Sequence, residues 1–341
     1  MKEFFGKMPD GREVYAHTIG AGDLSITVIE YGAALQKFVH KGTDIVCGFD
    51  TLDGYRKGGG NQGASIGRYA NRISGGKITL DGVDYPLERN NGVAHLHGGS
   101  HGFNTQLWQI EEGVCKCGAP TLTCTYVSAD GEAGYPGKLD VTVTYKLKPE
   151  GLVIDYKATT DKPTYCNLTN HSYFNLHGQN CTSCLDHVLK INADRYTDAD
   201  PKTLLPTGRR PDVAGTAFDF RTPKPIGQDI DKTGLGYAGY DHNFILNGKE
   251  TERFGKHDLA VAAVCAVPER TMTVLTTMPG IQIYTGNFLG NNPNNFKGGV
   301  PQTKHAAVCF ETQYEPDSPS HGEARLDPGQ IYHHITVFKL S

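Results

Sequence analysis

The chain has 341 residues, of which 38% are hydrophobic and 21% charged, and its formal net charge at pH 7 is −4. This composition is that of a globular protein with one large domain or two medium ones. The weak negative charge, without any lysine or arginine run, argues against a nucleic-acid partner. Residues 1–11 lack the apolar core of a signal peptide, and no apolar run approaches the roughly 20 residues of a membrane helix. We therefore expect a cytoplasmic protein without a membrane partner.

Short runs of β-favouring residues follow one another along the chain. Residues 13–19 and 24–31 form the first two runs, with a glycine-containing turn between them. The clearest alternation of apolar and polar residues is in residues 138–148, as in a half-buried strand. No stretch of about 12 residues has the 3.6-residue period of a helix. The pattern predicts an all-β protein, a large antiparallel β-sandwich in which residues 1–341 form a single domain.

Dipeptides of aspartate or asparagine followed by glycine predict turns between these runs. They are Asp53-Gly54, Asp81-Gly82, Asn91-Gly92, Asp130-Gly131 and Asn247-Gly248. Residues 58–63 match the spacing G-x-G-x-x-G of dinucleotide-binding loops. Because no apolar strand precedes the match and no helical pattern follows it, we interpret this segment as a flexible surface loop.

The nine cysteines are odd in number and scattered, which argues against a full disulfide framework. Cys181 and Cys184 have the spacing of a redox or metal pair, but no second Cys-x-x-Cys accompanies them. Cys115 and Cys117 would share one face of a strand, and we interpret them as buried thiols.

The first candidate site residues are an asparagine–arginine pair and a group of histidines. The Arg72 side chain offers a rigid fork of donors beside Asn71, which suits two neighbouring sugar hydroxyls. A surface ion pair is the alternative for this arginine. In an extended strand His95 and His97 share a face, and the two glycines that follow would let the backbone approach a ligand. His101 adds a third imidazole, so a metal site remains an alternative here.

The second half of the chain adds a possible acid–base pair and further polar groups. His171 lies among amide and hydroxyl side chains and is followed by Tyr173, which suits proton transfer next to a sugar ring. Asp241 lies between aromatic residues, Gln282 belongs to a strand after a proline–glycine turn, and Glu311 follows an apolar strand. Desolvation there would raise the basicity of this glutamate. The alternatives are that His171 is structural, that Asp241 belongs to a turn and that Glu311 forms a salt bridge.

Together these segments resemble the aldose 1-epimerase, or galactose mutarotase, family, and they occur in the family's order. They are Asn71-Arg72, His95 to Gly99, residues 170–176, residues 241–244, residues 279–289 and residues 310–313. The resemblance implies a large β-sandwich with an open sugar cleft. It also implies that the chain interconverts the α and β anomers of free hexoses such as galactose and glucose. We expect a hexose as the small-molecule partner, no cofactor, no metal, and a monomer or homodimer.

The resemblance also implies roles for individual residues. Glu311 resembles the family's general base and His171 its general acid, while His97 resembles a second catalytic histidine near the ring oxygen. The residues that resemble binders of sugar hydroxyls, or lie beside them, are Asn71, Arg72, Tyr173, Asp241 and Gln282. In these roles, the rate should fall in acid as Glu311 gains a proton and in alkali as His171 loses one.

Two segments depart from the family's pattern. Residues 314–321 lack an Asn-His pair, and Arg209-Arg210 follows a Pro-Thr-Gly turn where an acidic residue is common. These differences leave the preferred sugar open, including a sugar phosphate. Two other classes of function also remain: a metal-dependent hydrolase or isomerase that uses the histidines of residues 95–101, and a non-catalytic sugar-binding module.

Overall fold

A computed structural model describes residues 1–291 and 294–341, and most regular structure in that part of the chain is β-strand. The first strands are β1 (Lys2–Lys7), β2 (Glu13–Ala21), β3 (Leu24–Ile29), β4 (Ala34–His40), β5 (Thr43–Asp44), β6 (Val46–Cys47), β7 (Ser65–Ile66), β8 (Arg72–Ser74), β9 (Lys77–Leu80), β10 (Val83–Pro86), β11 (Ala94–Leu96), β12 (Gln109–Val114), β13 (Pro120–Ser128), β14 (Leu139–Lys148) and β15 (Gly151–Thr160). They are followed by β16 (Thr164–Tyr165), β17 (Thr169–Asn170), β18 (Tyr173–Phe174), β19 (Val188–Ile191), β20 (Ala193–Tyr196), β21 (Lys224–Pro225), β22 (Asp241–Leu246), β23 (Thr251–Phe254), β24 (His257–Val267), β25 (Arg270–Thr276), β26 (Gly280–Tyr284), β27 (Val308–Gln313), β28 (Arg325–Leu326) and β29 (Tyr332–Leu340). The helices are α1 (Leu52–Lys57) and the 3-10 turns Phe103–Thr105, Glu132–Gly134, Ile226–Asp229, Leu289–Asn291, Lys297–Gly299 and Ser318–His321.

The strands form three larger antiparallel sheets. The ten-stranded sheet has the order β12-β13-β14-β15-β29-β25-β24-β19-β21, with β23 paired to β24. The six-stranded sheet has the order β20-β22-β26-β27-β18-β6, and the five-stranded sheet runs from β1 to β5 in chain order. One apolar core cluster contains residues of all three sheets, and Phe174 packs on Phe338 across the two largest at 4.8 Å between ring centroids. The predicted all-β sandwich is confirmed.

The alternation predicted in residues 138–148 is confirmed in β14. Leu139, Val143 and Leu147 are buried, while the intervening threonines and lysines are partly exposed. β14 pairs with β15 without a register shift, so the buried set of one strand continues into the next. A strand period of two thus places one face in the core and leaves the other free for polar groups.

The turn predicted at Asp53-Gly54 is wrong, because these residues lie in the first turn of α1. The Gly54 amide donates to Thr51 Oγ1 at 3.2 Å, which caps the helix. Asp53 also forms ion pairs with Arg56 at 3.0 Å and Lys57 at 2.8 Å, at the i+3 and i+4 positions of a helix. This local pairing outweighs the turn preference of the dipeptide.

The interpretation of Cys115 and Cys117 as buried thiols is also wrong. β12 ends at Val114, so these cysteines lie in the turn before β13, where they form a disulfide. The other seven cysteines are free thiols, and six of those are buried. In the described part of the chain, no helix is long and apolar enough to cross a membrane.

Candidate active site

A cavity of about 210 Å³, here called the site cavity, lies against the six-stranded sheet. Every candidate catalytic or sugar-binding residue identified by the family resemblance lines it: Asn71, Arg72, His97, His171, Tyr173, Asp241, Gln282 and Glu311. These residues come from distant parts of the chain, and the sheet and its neighbouring loops bring them together.

The register of the six-stranded sheet explains why several of these side chains meet. Gln282 of β26 lies opposite Glu311 of β27, and Asp241 of β22 lies opposite Tyr284 of β26. Paired residues point to the same side of a sheet, as do residues two apart along a strand. The polar residues therefore face the cavity, whereas alternate residues such as Ile283 and Phe310 face the apolar core.

Glu311 and His171 are a buried pair in the cavity wall. The distance from His171 Nε2 to Glu311 Oε1 is 3.7 Å, and Glu311 Oε2 has no hydrogen-bond partner in the described part of the chain. Burial, reinforced by the nearby charge of Asp241, raises the pKa of Glu311 well above its usual value. Burial lowers the pKa of His171 to about 4. The pair therefore has polar atoms available to a ligand, and its pKa order is inverted relative to free side chains.

The His171 imidazole contacts Tyr173 and Cys309, among other neighbours. The Tyr173 ring stacks on the imidazole with centroids 5.1 Å apart, and its hydroxyl donates to the Gly60 carbonyl at 2.8 Å. Cys309 Sγ lies 3.6 Å from His171 Nδ1. If the thiol donates to Nδ1, the proton of the neutral imidazole is on Nε2, the nitrogen that faces Glu311.

His97 reaches the cavity from a strained loop. Both His97, at φ +55°, and Asn71, at φ +66°, have left-handed backbone conformations that are unfavourable for residues with a side chain. The Asn71 amide donates to His97 Nδ1 at 3.1 Å, so the neutral ring carries its proton on Nε2. Burial, and then the charges of His171 and Arg72, keep the pKa of His97 well below its usual value. His97 is thus a neutral hydrogen-bond donor.

The expectation that His95 and His97 share a face is wrong. The chain leaves β11 at Leu96 and turns into the left-handed conformation at His97, which separates the two rings. His95 is fully buried, with Nδ1 2.7 Å from the Glu88 carbonyl oxygen, and it does not line the cavity. Gly98 is outside the cavity lining, and a Cβ there would lie 2.0 Å from the Gly67 carbonyl oxygen. That glycine is required by loop packing.

A different set of side chains has the spacing of metal ligands. Atoms of His97, His171 and Glu311 lie within 4.8 Å of one another, whereas His95 and His101 belong to no such group among the described residues. The hypothesis of a metal site in residues 95–101 is therefore not supported by the arrangement of these histidines. Any cation in the cavity would instead have to compete for the same groups that can transfer protons.

A second set of cavity-lining side chains forms a network of contacts beside Glu311. Gln282 Nε2 donates to Asp241 Oδ1 at 2.6 Å, and Arg72 Nε donates to Asn91 Oδ1 at 3.1 Å. An Arg72 terminal nitrogen lies 3.9 Å from Asp241 Oδ2. Burial raises the pKa of Asp241, and the arginine charge and the glutamine hydrogen bond oppose this shift. The network presents fixed donors and acceptors.

Sequence reasoning missed several residues that line the cavity: Gly60, Asn61, Asn91, Leu96, Tyr284 and Phe288. Residues 58–63 are not merely a surface loop, because Gly60 and Asn61 line the cavity and Gln62 is buried. Tyr284 could have been found, since it lies two residues after Gln282 and so shares its face of the predicted strand. The role of residues 58–63 could not have been found from the sequence, because the position of this loop depends on α1 and Tyr173.

Other prominent polar residues stabilise loops. Arg68 is buried and donates to the carbonyl oxygens of Pro136 and Gly137 at 2.8 Å. Asn170, beside His171, donates to the Gly63 carbonyl at 2.7 Å. Outside the cavity lining, Arg209 and Arg210 bind Asp198 and Glu315, so neither arginine is available to a sugar in the cavity.

Comparison with known proteins agrees with this architecture. Residues 15–339 match the family model described as aldose 1-epimerase. The chain is 40% identical to the galactose mutarotase of Bos taurus, over 99% of this chain and 97% of that protein. It is 35% identical to the aldose 1-epimerase of Escherichia coli K12, over 97% and 96% of the two chains. The structure of galactose 1-epimerase from Lactobacillus acidophilus superposes with a TM-score of 0.87 at 27% identity, covering 100% of this chain and 98% of that one. The chain therefore belongs to the aldose 1-epimerase family.

Proposed function

We propose that this chain is an isomerase, an aldose 1-epimerase that interconverts the α and β anomers of free hexoses. The observation that carries the proposal is the buried pair of Glu311 and His171, 3.7 Å apart in the wall of a cavity lined by polar groups. A cyclic hexose needs a base for its anomeric hydroxyl and an acid for its ring oxygen. The continuous core supports treating residues 1–341 as one domain.

Ring opening uses both groups at once. Glu311 takes the proton of the anomeric hydroxyl, His171 gives a proton to the ring oxygen, and the bond from C1 to that oxygen breaks to leave an aldehyde. His97, neutral and with its proton on Nε2, stabilises the developing charge as a hydrogen-bond donor. Each positioned acid or base typically contributes roughly 10²–10⁴-fold to the rate.

Reclosure completes the cycle. The C1–C2 bond rotates by about half a turn, which exposes the other face of the aldehyde to the same hydroxyl. Glu311 returns its proton to the aldehyde oxygen, and His171 recovers a proton from the attacking hydroxyl. The protein then has its starting protonation state. During rotation, Arg72, Asp241 and Gln282 hold the distal hydroxyls, a role supported by their mutual hydrogen bonds and ion contact.

The pKa directions reverse the assignment of the pH limits made from the sequence. Glu311 has the raised pKa and His171 the pKa of about 4, so between these values the pair holds one proton, mainly on the glutamate. The reactive form has that proton on the histidine and is a minor tautomer whose share does not vary with pH. The acid limit therefore reflects a second proton on His171, and the alkaline limit reflects loss of the last proton, from Glu311.

Polarimetry on freshly dissolved α-glucose and α-galactose tests the proposal. Folded protein should accelerate the approach to the equilibrium rotation well beyond the buffer alone, and the ratio of the two rates gives the sugar preference. Sugar binding without acceleration would identify a binding module and overturn the proposal. α-Glucose 6-phosphate is the third substrate to measure, and we expect no preference for it, because Arg209 and Arg210 are paired elsewhere.

A further inference from the structure

A second cavity, here called the outer pocket, lies on the outer face of the ten-stranded sheet and has a volume of about 470 Å³. It shares no lining residue with the site cavity. Its floor is apolar and consists of Val153, Phe254, Leu259, Ile335 and Val337. These side chains come from β15, β29 and the hairpin of β23 and β24, in which β24 is itself a strand of the sheet. The floor offers an apolar group a surface away from water.

The rim of the outer pocket is positively charged. Its lysines are Lys116, Lys146, Lys148 and Lys256. Within the described part of the chain none of them forms an ion pair, although the net charge of the chain is −4 and many other lysines are paired. Among the residues that the structure describes, no carboxylate lines the pocket. The Asp155 carboxylate, on the same strand as Val153, is outside the lining and lies 3.1 Å from the His333 imidazole.

Local structure places the Lys148 ammonium over the floor. Lys148 Nζ lies 5.1 Å from the Phe254 ring centroid, a cation–π distance. Gly255, at φ +62°, leaves room for that ammonium, since a Cβ there would lie 2.8 Å from it. Lys116 belongs to the turn that the Cys115–Cys117 disulfide closes. Burial, and then the charges of Lys256 and Lys146, lower the pKa of His257, and the charge of Asp155 opposes this shift.

We propose that the outer pocket binds a small amphipathic anion, a molecule with a flat apolar group and a phosphate or sulfonate. The apolar group would lie on the floor, and the anion would meet several lysines at the rim. A free sugar would not suit this site, because the floor has no polar group to pair with ring hydroxyls. A cation would be repelled by the lysines.

Titration of the full chain with 2-naphthyl phosphate tests the proposal, with methyl NMR of the isoleucine and valine residues to locate binding. We expect shifts at Ile335 and Val337 and weaker binding when NaCl rises from about 0.05 M to about 0.5 M. Inorganic phosphate, which lacks the apolar group, and 2-naphthalenemethanol, which lacks the charge, should each bind more weakly. Equal affinity for either of them, or no binding at about 1 mM probe, would overturn the proposal.

The double variant Lys146→Gln, Lys148→Gln tests whether these two lysines bind the anionic group of the probe. Its affinity for 2-naphthyl phosphate should fall about three- to tenfold, as expected for the loss of two exposed ion pairs. Lys157→Gln is the matched control, because Lys157 is an exposed lysine of the same sheet outside the pocket lining. Circular dichroism melting curves establish that the variants are folded. Equal affinity of the double variant and the control would also contradict the proposal.

Discussion

The polar residues of the site cavity form two sets, here called the proton-transfer side and the binding side, and these sets differ in their hydrogen bonds. On one side, Glu311 and His171 are 3.7 Å apart, beyond a good hydrogen bond, and Glu311 Oε2 has no partner in the described part of the chain. On the other side, Gln282 Nε2 donates to Asp241 at 2.6 Å and Arg72 contacts both Asp241 and Asn91, although Gln282 Oε1 has no partner among the described residues. In the proposed mechanism the first side transfers protons, whereas the second side is positioned by contacts among its own side chains. We therefore expect mutations on the first side to change kcat and mutations on the second to change KM.

The largest effect should come from removing the base. Glu311→Gln keeps the size of the side chain but cannot take a proton, so kcat should fall about 10²-fold or more while sugar still binds. Polarimetry gives the rate and calorimetric titration gives the binding. Glu315→Gln is the matched control, because Glu315 lies just beyond β27 and outside the cavity lining. Near-normal mutarotation by Glu311→Gln would remove the base from the mechanism.

The acid should be visible in the pH dependence. For the normal chain, kcat/KM should be flat through neutrality, fall below about pH 4 as His171 gains a second proton, and fall in alkali when Glu311 loses the shared one. His171→Asn should lose about 10²-fold in kcat and no longer show the acid limit near pH 4. Circular dichroism at each pH separates this limit from unfolding. An acid limit near pH 6.5 would instead indicate that His171 has the pKa of an ordinary histidine.

On the binding side, Arg72→Ala should raise KM about 10- to 100-fold with a smaller change in kcat, since hydrogen bonds to charged groups contribute roughly 1.5–3 kcal/mol. Initial rates over a range of galactose concentrations measure both constants. Arg210→Ala is the control, because this arginine pairs with Glu315 outside the cavity lining. A large loss of kcat at constant KM would instead mean that Arg72 acts in the transition state.

A smaller effect is expected at Cys309, which contacts His171 Nδ1 but is not required to transfer a proton. Cys309→Ser replaces the thiol donor by a hydroxyl and should keep most turnover. Cys309→Ala removes the donor and should cost at most about tenfold, the value of one weak hydrogen bond. Measuring kcat of both variants under the same conditions checks this prediction. An inactive, folded serine variant would mean that the thiol itself takes part in the chemistry.

The smallest expected effect is that of chelation. His97, His171 and Glu311 have the spacing of metal ligands, but the proposed proton transfers use the same atoms without an ion. Dialysis against EDTA should leave the mutarotation rate unchanged, and metal analysis of the active protein should find less than one equivalent. Loss of activity that added zinc restores would replace the acid–base pair by a metal centre.

The alternation of apolar and polar residues was sufficient to predict many of the strands, because it follows directly from the burial of one strand face. The predicted alternation of residues 138–148 became β14, and the strands that carry Gln282 and Glu311 were expected near their observed places. Prediction from the residue pattern failed where nearby residues could form another local structure. Asp53-Gly54 entered a capped helix, and Cys115 and Cys117 formed a disulfide in a turn.

The sequence by itself determined which residue types are available to the site, and the family resemblance supplied the roles proposed for the histidines, the glutamate and the residues beside them. Only the tertiary structure separated His95 from His97, through a left-handed backbone that no residue pattern specifies. It also decided where the proton of the acid–base pair resides. A pKa depends on the burial and charges around a group, and for Glu311 and His171 these come from strands distant in the chain.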